Sequence, residues 1–126
     1  MAASTAAWLR DSKVATKLYY PGDASHPQHE LAKKQMTGFG GMISIDLGDA
    51  ARARRFVEKT RIFALAESLG GVESLIGHPA SMTHASVPPA MRESMGLTDS
   101  LIRLSCGIED GDDLIADLEQ AFAASK

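Results

Sequence analysis

Apolar residues occupy every second position in three stretches of the chain, which is the period of a β-strand. The clearest stretch is 38–48, where Ile43, Ile45 and Leu47 alternate with other residues and give the strand one apolar face. A further strand is expected where "RIFALAES" follows a helical segment. We therefore predict four strands, over 14–20, 38–48, 61–68 and 100–108.

Helical spacing of apolar residues separates these strands. In residues 49–60, Phe56 and Val57 fall on one side and the arginines on the other, with Asp49 placed to cap the helix. We predict helices over 2–11, 26–36, 49–60, 88–96 and 112–125, with an irregular segment from the Gly70–Gly71 turn to Pro89. Strands separated by helices indicate an α/β or α+β sandwich whose helices cover one sheet face. The pattern leaves the strand directions open.

Composition and charge narrow the classes of function. The 126 residues suffice for one domain over 1–126, and the net charge is −3 with basic residues spread along the chain. Nucleic-acid binding is not expected, because it needs a basic stripe. A membrane span is not expected either, because no apolar run approaches about 20 residues. The start of the chain lacks the pattern of a secretory signal. A single cysteine, Cys106, forms no internal disulfide and fits a cytoplasmic protein.

The stretch "AESLGGVESLIGHP" at 66–79 places polar residues around a glycine turn. Glu67 and Ser68 have two interpretations. They can bond the turn backbone at the end of a strand, or form a carboxylate and a hydroxyl held at the edge of a sheet for a ligand. The residues alone favour the first. Glu73 and Ser74 are expected to be structural.

Arg103 is a charge within an apolar strand, "LIRLS". Alternation places it on one face with Leu101 and Ser105. Because an unpaired buried charge is costly, the guanidinium must reach water or a partner. A structural role, as an ion pair or as a side chain that extends to water, and a receptor for a substrate carboxylate are both open from the sequence.

Other candidate groups have simpler interpretations. Lys17 in "VATKLYY" lies near the context of a Schiff-base lysine, yet nothing nearby supplies a phosphate cradle, so we expect a solvated strand residue. His84 is expected to form local hydrogen bonds, and no histidine has metal-ligand spacing. Cys106 is expected to be a small core residue. The four carboxylates of "IEDGDDL" at 108–114 are assigned to a helix N-terminus.

Three long stretches resemble one enzyme family when they are taken together. They are "YYPGDASHPQHELAKKQMTGFGGMISIDL" (19–47), "IFALAESLGGVESLIGHPASMTHASVP" (62–88) and "LIRLSCGIEDGDDLIADLEQAF" (101–122). They resemble the C-terminal domain of the cystathionine gamma-synthase/gamma-lyase family of pyridoxal-phosphate enzymes, across essentially the whole chain. The resemblance is greater to gamma-synthases and gamma-lyases than to beta-lyases. It implies an α+β fold of the type found in fold-type I enzymes, with a small, mainly antiparallel sheet of about four strands.

The resemblance also implies residue roles and partners. Arg103 matches the arginine that holds the substrate α-carboxylate, Ser68 the serine beside it, and Glu67 an acid facing the distal end of the substrate. Leu69 and Thr83 lie in matching motifs near the same pocket. No catalytic, cofactor-binding or metal-binding residue is assigned to this chain. The parent family is homotetrameric, takes small sulfur amino acids and uses pyridoxal phosphate.

Two functions therefore remain. The chain is expected to contribute substrate-carboxylate and specificity residues to a transsulfuration enzyme. It would then be inactive and without cofactor on its own, since the motifs of its partner, the cofactor domain, are missing. It can be an excised domain, a gene fragment or a split subunit. Alternatively, it is a free-standing, non-catalytic module that binds a ligand or a partner.

Overall fold

A five-stranded mixed sheet forms the centre of the molecule in the computed structural model, which describes residues 1–126. The strands are β1 (Lys17–Tyr19), β2 (Met42–Asp46), β3 (Ala64–Leu65), β4 (Leu75–Gly77) and β5 (Leu101–Ser105). The helices are α1 (Ala2–Ser12), α2 (His29–Gln35), α3 (Ala50–Lys59), α4 (Pro89–Ser94) and α5 (Gly111–Ala124). None of these helices combines the length and apolar character that a membrane span needs.

The sheet has the strand order β1-β2-β5-β4-β3, and every neighbouring pair is antiparallel except β3 and β4. The α+β class and the mainly antiparallel sheet are thus confirmed. The expectation of about four strands was low by one, because β4 lies within the segment predicted to be irregular. All three β4 residues are buried, so its sequence lacks the alternation that marks a strand with one solvated face.

The apolar core lies between the central strands and helices α1, α3 and α5. Ile43 and Ile45 of β2 face Leu104 and Ile102 of β5 in the antiparallel register, and all four are fully buried. This is the apolar face that the alternation in 38–48 predicted. The aromatic rings of Phe56 in α3 and Phe122 in α5 stack above it, with centroids 4.2 Å apart.

Two carboxylates bind backbone N–H groups at the ends of elements, one at the surface and one buried. Asp49 caps α3 as predicted, accepting hydrogen bonds from the backbone N–H groups of Ala51 and Arg52. Asp117 of α5 is buried and accepts from three successive backbone N–H groups just before β3, at distances of 2.7, 2.8 and 3.0 Å. Those groups belong to residues 61–63. The carboxylate of Asp117 therefore satisfies the amides of a turn that no strand pairs.

Candidate functional site

Arg103 lies in the middle of β5, between Ser44 of β2 and Gly77 of β4. It is on the sheet face opposite the core residues, and it is half-buried. Gly77 lies close to the guanidinium, since a Cβ atom there would be in ordinary van der Waals contact, 3.8 Å from Arg103 Nη2 and 3.4 Å from the Ala66 carbonyl oxygen. The guanidinium thus lies beside a glycine of the neighbouring strand, at the centre of the sheet.

The Arg103 side chain has a backbone partner and no carboxylate partner. Its Nη2 donates to the carbonyl oxygen of Glu67 at 3.0 Å. The four ion pairs of the structure involve other arginines and a lysine. Of the two sequence interpretations, the structural ion pair is therefore not observed. A planar guanidinium has five N–H donors, so one bond to Glu67 leaves donors that a carboxylate could accept from in a bidentate manner.

The side chains of Glu67, Ser68 and Leu69 are exposed in a segment that leaves β3 and returns at β4. We call residues 66–74 the return segment. The N–H of Gly70 donates to Ser105 Oγ at 2.8 Å, with Gly70 at φ +76°, a conformation that glycine adopts at little cost. The structure thus brings the Glu67 backbone carbonyl beside Arg103, with Ser68 and Leu69 next in the chain.

The far end of the return segment is held by a carboxylate that the sequence assigned elsewhere. Glu109 does not serve the α5 N-terminus, which Asp110 caps. Instead Glu109 accepts from the Ser74 backbone N–H at 2.9 Å and from the Ser74 hydroxyl at 2.7 Å. Partial burial would raise the pKa of Glu109, but the two hydrogen bonds from Ser74 outweigh it and lower the pKa below its usual value. Ser74 is fully buried, in line with the structural role expected for it.

Thr83 lies in a separate turn, and its hydroxyl is hydrogen-bonded to His84 Nδ1 at 2.7 Å. No hydrogen bond joins Thr83 to Arg103 or to the return segment. The neighbouring His78 is buried and contacts Ser81 Oγ and the Asp99 carbonyl oxygen through its two ring nitrogens. This turn is therefore attached to the loop before β5 and not to the arginine.

A match to a family model decides the chain's family. The model described as "Cys/Met metabolism PLP-dependent enzyme" matches residues 1–123. The chain belongs to this family. Pyridoxal phosphate is the cofactor of the parent enzyme, as the resemblance implied.

Curated relatives carry three different activity names. The chain is 56% identical over 117 residues to cystathionine beta-lyase of Lactococcus lactis subsp. cremoris, covering 93% of this chain and 31% of the relative. It is 53% identical over 117 residues to cystathionine gamma-lyase of Bacillus subtilis, covering 93% and 31%. It is 50% identical over 119 residues to cystathionine gamma-synthase of Escherichia coli, covering 94% and 31%. These identities do not favour the gamma enzymes over the beta-lyases.

Solved structures of relatives have the same fold. Cystathionine gamma-lyase from Lactobacillus plantarum, complexed with L-serine, superposes with a TM-score of 0.92 at 49% identity, over 98% of this chain and 32% of that chain. Cystathionine gamma synthase from Xanthomonas oryzae pv. oryzae, in complex with cystathionine, matches with a TM-score of 0.92 at 47% identity, over 98% and 32%. The chain thus spans about a third of the length of the relatives it matches.

The residues of this chain do not fit pyridoxal phosphate. No lysine occurs between residues 60 and 125, so none lies on the elements around Arg103. Lys17 is exposed on the edge strand β1, beside a cavity of about 410 Å³. Three hydroxyl residues line that cavity, but Thr16 donates to the Asp46 carbonyl oxygen and Ser25 to the Asp23 carboxylate, which leaves the hydroxyl of Tyr19. One tyrosine hydroxyl does not form a phosphate cradle.

Proposed function

We propose that residues 1–126 form the substrate-carboxylate-binding domain of a pyridoxal-phosphate enzyme that acts on small sulfur amino acids. The supporting observation is the Arg103 guanidinium, which lies on the central strand, on the face opposite the core, with one backbone bond and no acidic partner. A guanidinium in this state is suited to a ligand carboxylate. The proposal assigns the cofactor and its lysine to the remainder of the relatives' length.

In this proposal Arg103 orients the substrate. Two parallel hydrogen bonds from the guanidinium hold both oxygens of the α-carboxylate and limit the rotation of the bound amino acid. The Cα–H bond is thereby held in one orientation. The Arg103–Glu67 bond holds the guanidinium in place before substrate arrives. Ser68 supplies a hydroxyl beside the carboxylate, and the exposed Glu67 carboxylate faces the distal end of the substrate.

Leu69 and Thr83 are proposed as further contacts of the same pocket. Leu69 is exposed and follows Ser68 directly, so its side chain is available to cover apolar parts of a substrate. Thr83 lies on a different turn and would meet the substrate from another side. Both assignments rest on the family motifs and the accessibility of the side chains.

Carboxylate binding by Arg103 can be measured on the chain itself. L-Serine, the ligand in the Lactobacillus plantarum structure, is titrated into ¹⁵N-labelled protein while the arginine Nε–Hε resonances are recorded. We expect the Arg103 resonance to shift selectively. Arg103→Lys should weaken binding at least about 10-fold, since lysine loses the bidentate geometry. Arg54→Lys, on an exposed residue of α3, is the matched control. Equal binding by both variants would exclude Arg103.

The dependence on a separate cofactor domain has its own test. The isolated chain is mixed with pyridoxal phosphate and a γ-substituted homoserine, and ketobutyrate and cystathionine are followed. No turnover is expected. Turnover that Lys17→Arg abolishes would show that this chain carries a complete active site, and the proposed division of labour would be wrong.

A further inference from the structure

The return segment has little apolar packing to hold its shape. Every residue from Glu67 to Glu73 is exposed, including Val72 at 70%. Yet this segment provides the carbonyl oxygen that orients Arg103. Its geometry must therefore come from hydrogen bonds to fixed parts of the fold.

Those bonds come largely from the end of β5 and the residues that follow it. Ser105 accepts from Gly70, and the N–H of Ile108 donates to the Val72 carbonyl oxygen at 2.9 Å. The third and most connected attachment is Ser74 with Glu109. These three attachments fall on alternate residues of the second half of the segment, from Gly70 to Ser74. At its start, the N–H of Ala66 donates to the Ile76 carbonyl oxygen of β4 at 3.0 Å, so both sides of Glu67 are held.

Glu109 and Ser74 form a closed hydrogen-bond network. The carboxylate accepts both the N–H and the hydroxyl of Ser74, and the Ser74 oxygen in turn accepts the N–H of Gly107 at 2.8 Å. A Cβ at Gly107 would lie 2.2 Å from the Val72 carbonyl oxygen, so the strand end and the segment are in direct contact. A carboxylate has two oxygens to accept both Ser74 groups, whereas an amide has one.

We propose that Glu109 is a positioning residue for the substrate-carboxylate site, acting through Ser74 on the return segment and so on the orientation of Arg103. The identity of the ligand rests on the proposed function, whereas the effect of Glu109 on the orientation of Arg103 does not. Glu109 forms no ion pair with Lys, Arg or His, and its titratable neighbour Cys106 has a pKa raised to about 11 by burial. The N-terminal ammonium also acts on Cys106, and the carboxylates of Glu73 and Asp110 adjoin this point in the chain, so the variants below assign the acid transition.

The test compares Glu109→Gln with Glu73→Gln, which removes an equal charge from an exposed neighbour without a side-chain hydrogen bond. In ligand-free ¹⁵N-labelled protein, Glu109→Gln should speed hydrogen exchange of the Ser74 and Gly107 amides at least about 10-fold and shift the Arg103 Nε–Hε resonance. Glu73→Gln should do neither. Ser74→Ala should act like Glu109→Gln, and the double variant should be no worse than either single one.

The pH dependence separates positioning from a purely structural role. In the wild type, the Ser74 amide and the Arg103 side chain should shift together, reversibly, as the pH falls through the lowered pKa of Glu109, and Glu109→Gln should abolish this transition. An Arg103 resonance that is unchanged in Glu109→Gln would overturn the proposal. L-Serine distinguishes the other case: if the wild type fails to bind it while the ligand-free shifts occur, the positioning link stands and the proposed function fails.

Discussion

The core beneath the sheet and the return segment between β3 and β4 are stabilised in opposite ways. In the core, Ile43, Ile102 and Phe56 are fully buried and belong to one apolar cluster. In the return segment, side chains are exposed and a few polar atoms fix the backbone. The difference teaches that stability of the fold and geometry of the candidate site depend on different residues. Substitutions should therefore affect one without the other.

The largest effect is expected from the core. Phe56→Ala removes a fully buried ring that stacks on Phe122, and should lower the free energy of unfolding by about 3–5 kcal/mol. Urea denaturation measures this. Ile62→Ala, at a side chain that is 38% exposed, should cost well under half as much. Equal losses would mean that the core does not dominate stability.

A second prediction concerns Asp117, a buried carboxylate that accepts hydrogen bonds from three backbone N–H groups. Asp117→Asn replaces one accepting oxygen by an amide donor that points at backbone N–H groups, and should destabilise the protein by about 2–3 kcal/mol. Glu119→Gln, on the exposed side of the same helix, is the control and should be near neutral. A near-neutral Asp117→Asn would show that water replaces the lost bonds.

A third prediction concerns Gly107, where the chain after β5 contacts the return segment. Gly107→Ala places a Cβ against the Val72 carbonyl oxygen and should cost about 1–3 kcal/mol, with the exchange of return-segment amides rising most. Gly71→Ala meets no heavy atom closer than 4.0 Å and should be tolerated. Hydrogen exchange of the return-segment amides that is slower or unchanged in Gly107→Ala would show that Gly107 does not hold the segment against the rest of the fold.

The smallest effect is a pH dependence at Asp46. Burial alone would raise the pKa of Asp46, but hydrogen bonds from Ser100, Gly48 and Thr98 lower it below its model-compound value of 3.8. A lowered folded-state pKa contributes stability that is present above pH 3.8 and is lost as the pH falls through the folded value.

Unfolding measured between neutral and acid pH checks the Asp46 contribution. In Asp46→Asn, the free energy of unfolding should decrease less as the pH falls below 3.8 than it does in the wild type. In Asp113→Asn, at an exposed position, the decrease should stay closer to that of the wild type. The reverse order would contradict the assignment to Asp46. Hydrogen exchange at Gly70 should follow the Glu109 transition instead, which keeps the two regions distinguishable in acid.

Local patterns predicted the regular parts of the molecule. Alternation located β2 and β5, and Asp49 marked the start of α3, because these features depend on neighbours in sequence. The strand at 14–20 is confined to β1 and that at 61–68 to β3. β4 was missed because burial on both faces removes the alternation.

The candidate site was predictable only in part. The position of Arg103 on a strand followed from alternation, whereas the absence of an ion pair depends on what the fold brings near it. Glu109 was misassigned because its partner Ser74 lies 35 residues away, so no local spacing connects them. The hydrogen bonds of Ser74 with Glu109 and Gly107 can be predicted only once β4 is known to pair with β5.

The return segment is fixed through its backbone while its side chains remain free, and this has a consequence for how such enzymes diverge. Point substitutions at Glu67 or Leu69 change the surface offered to a substrate without disturbing a hydrogen bond of the fold, as neither side chain makes one. An insertion or deletion would shift Gly70, Val72 and Ser74 away from their partners. Under the proposed function, the side chains offered to a substrate can therefore change one at a time, whereas a change in the length of the segment breaks its hydrogen bonds.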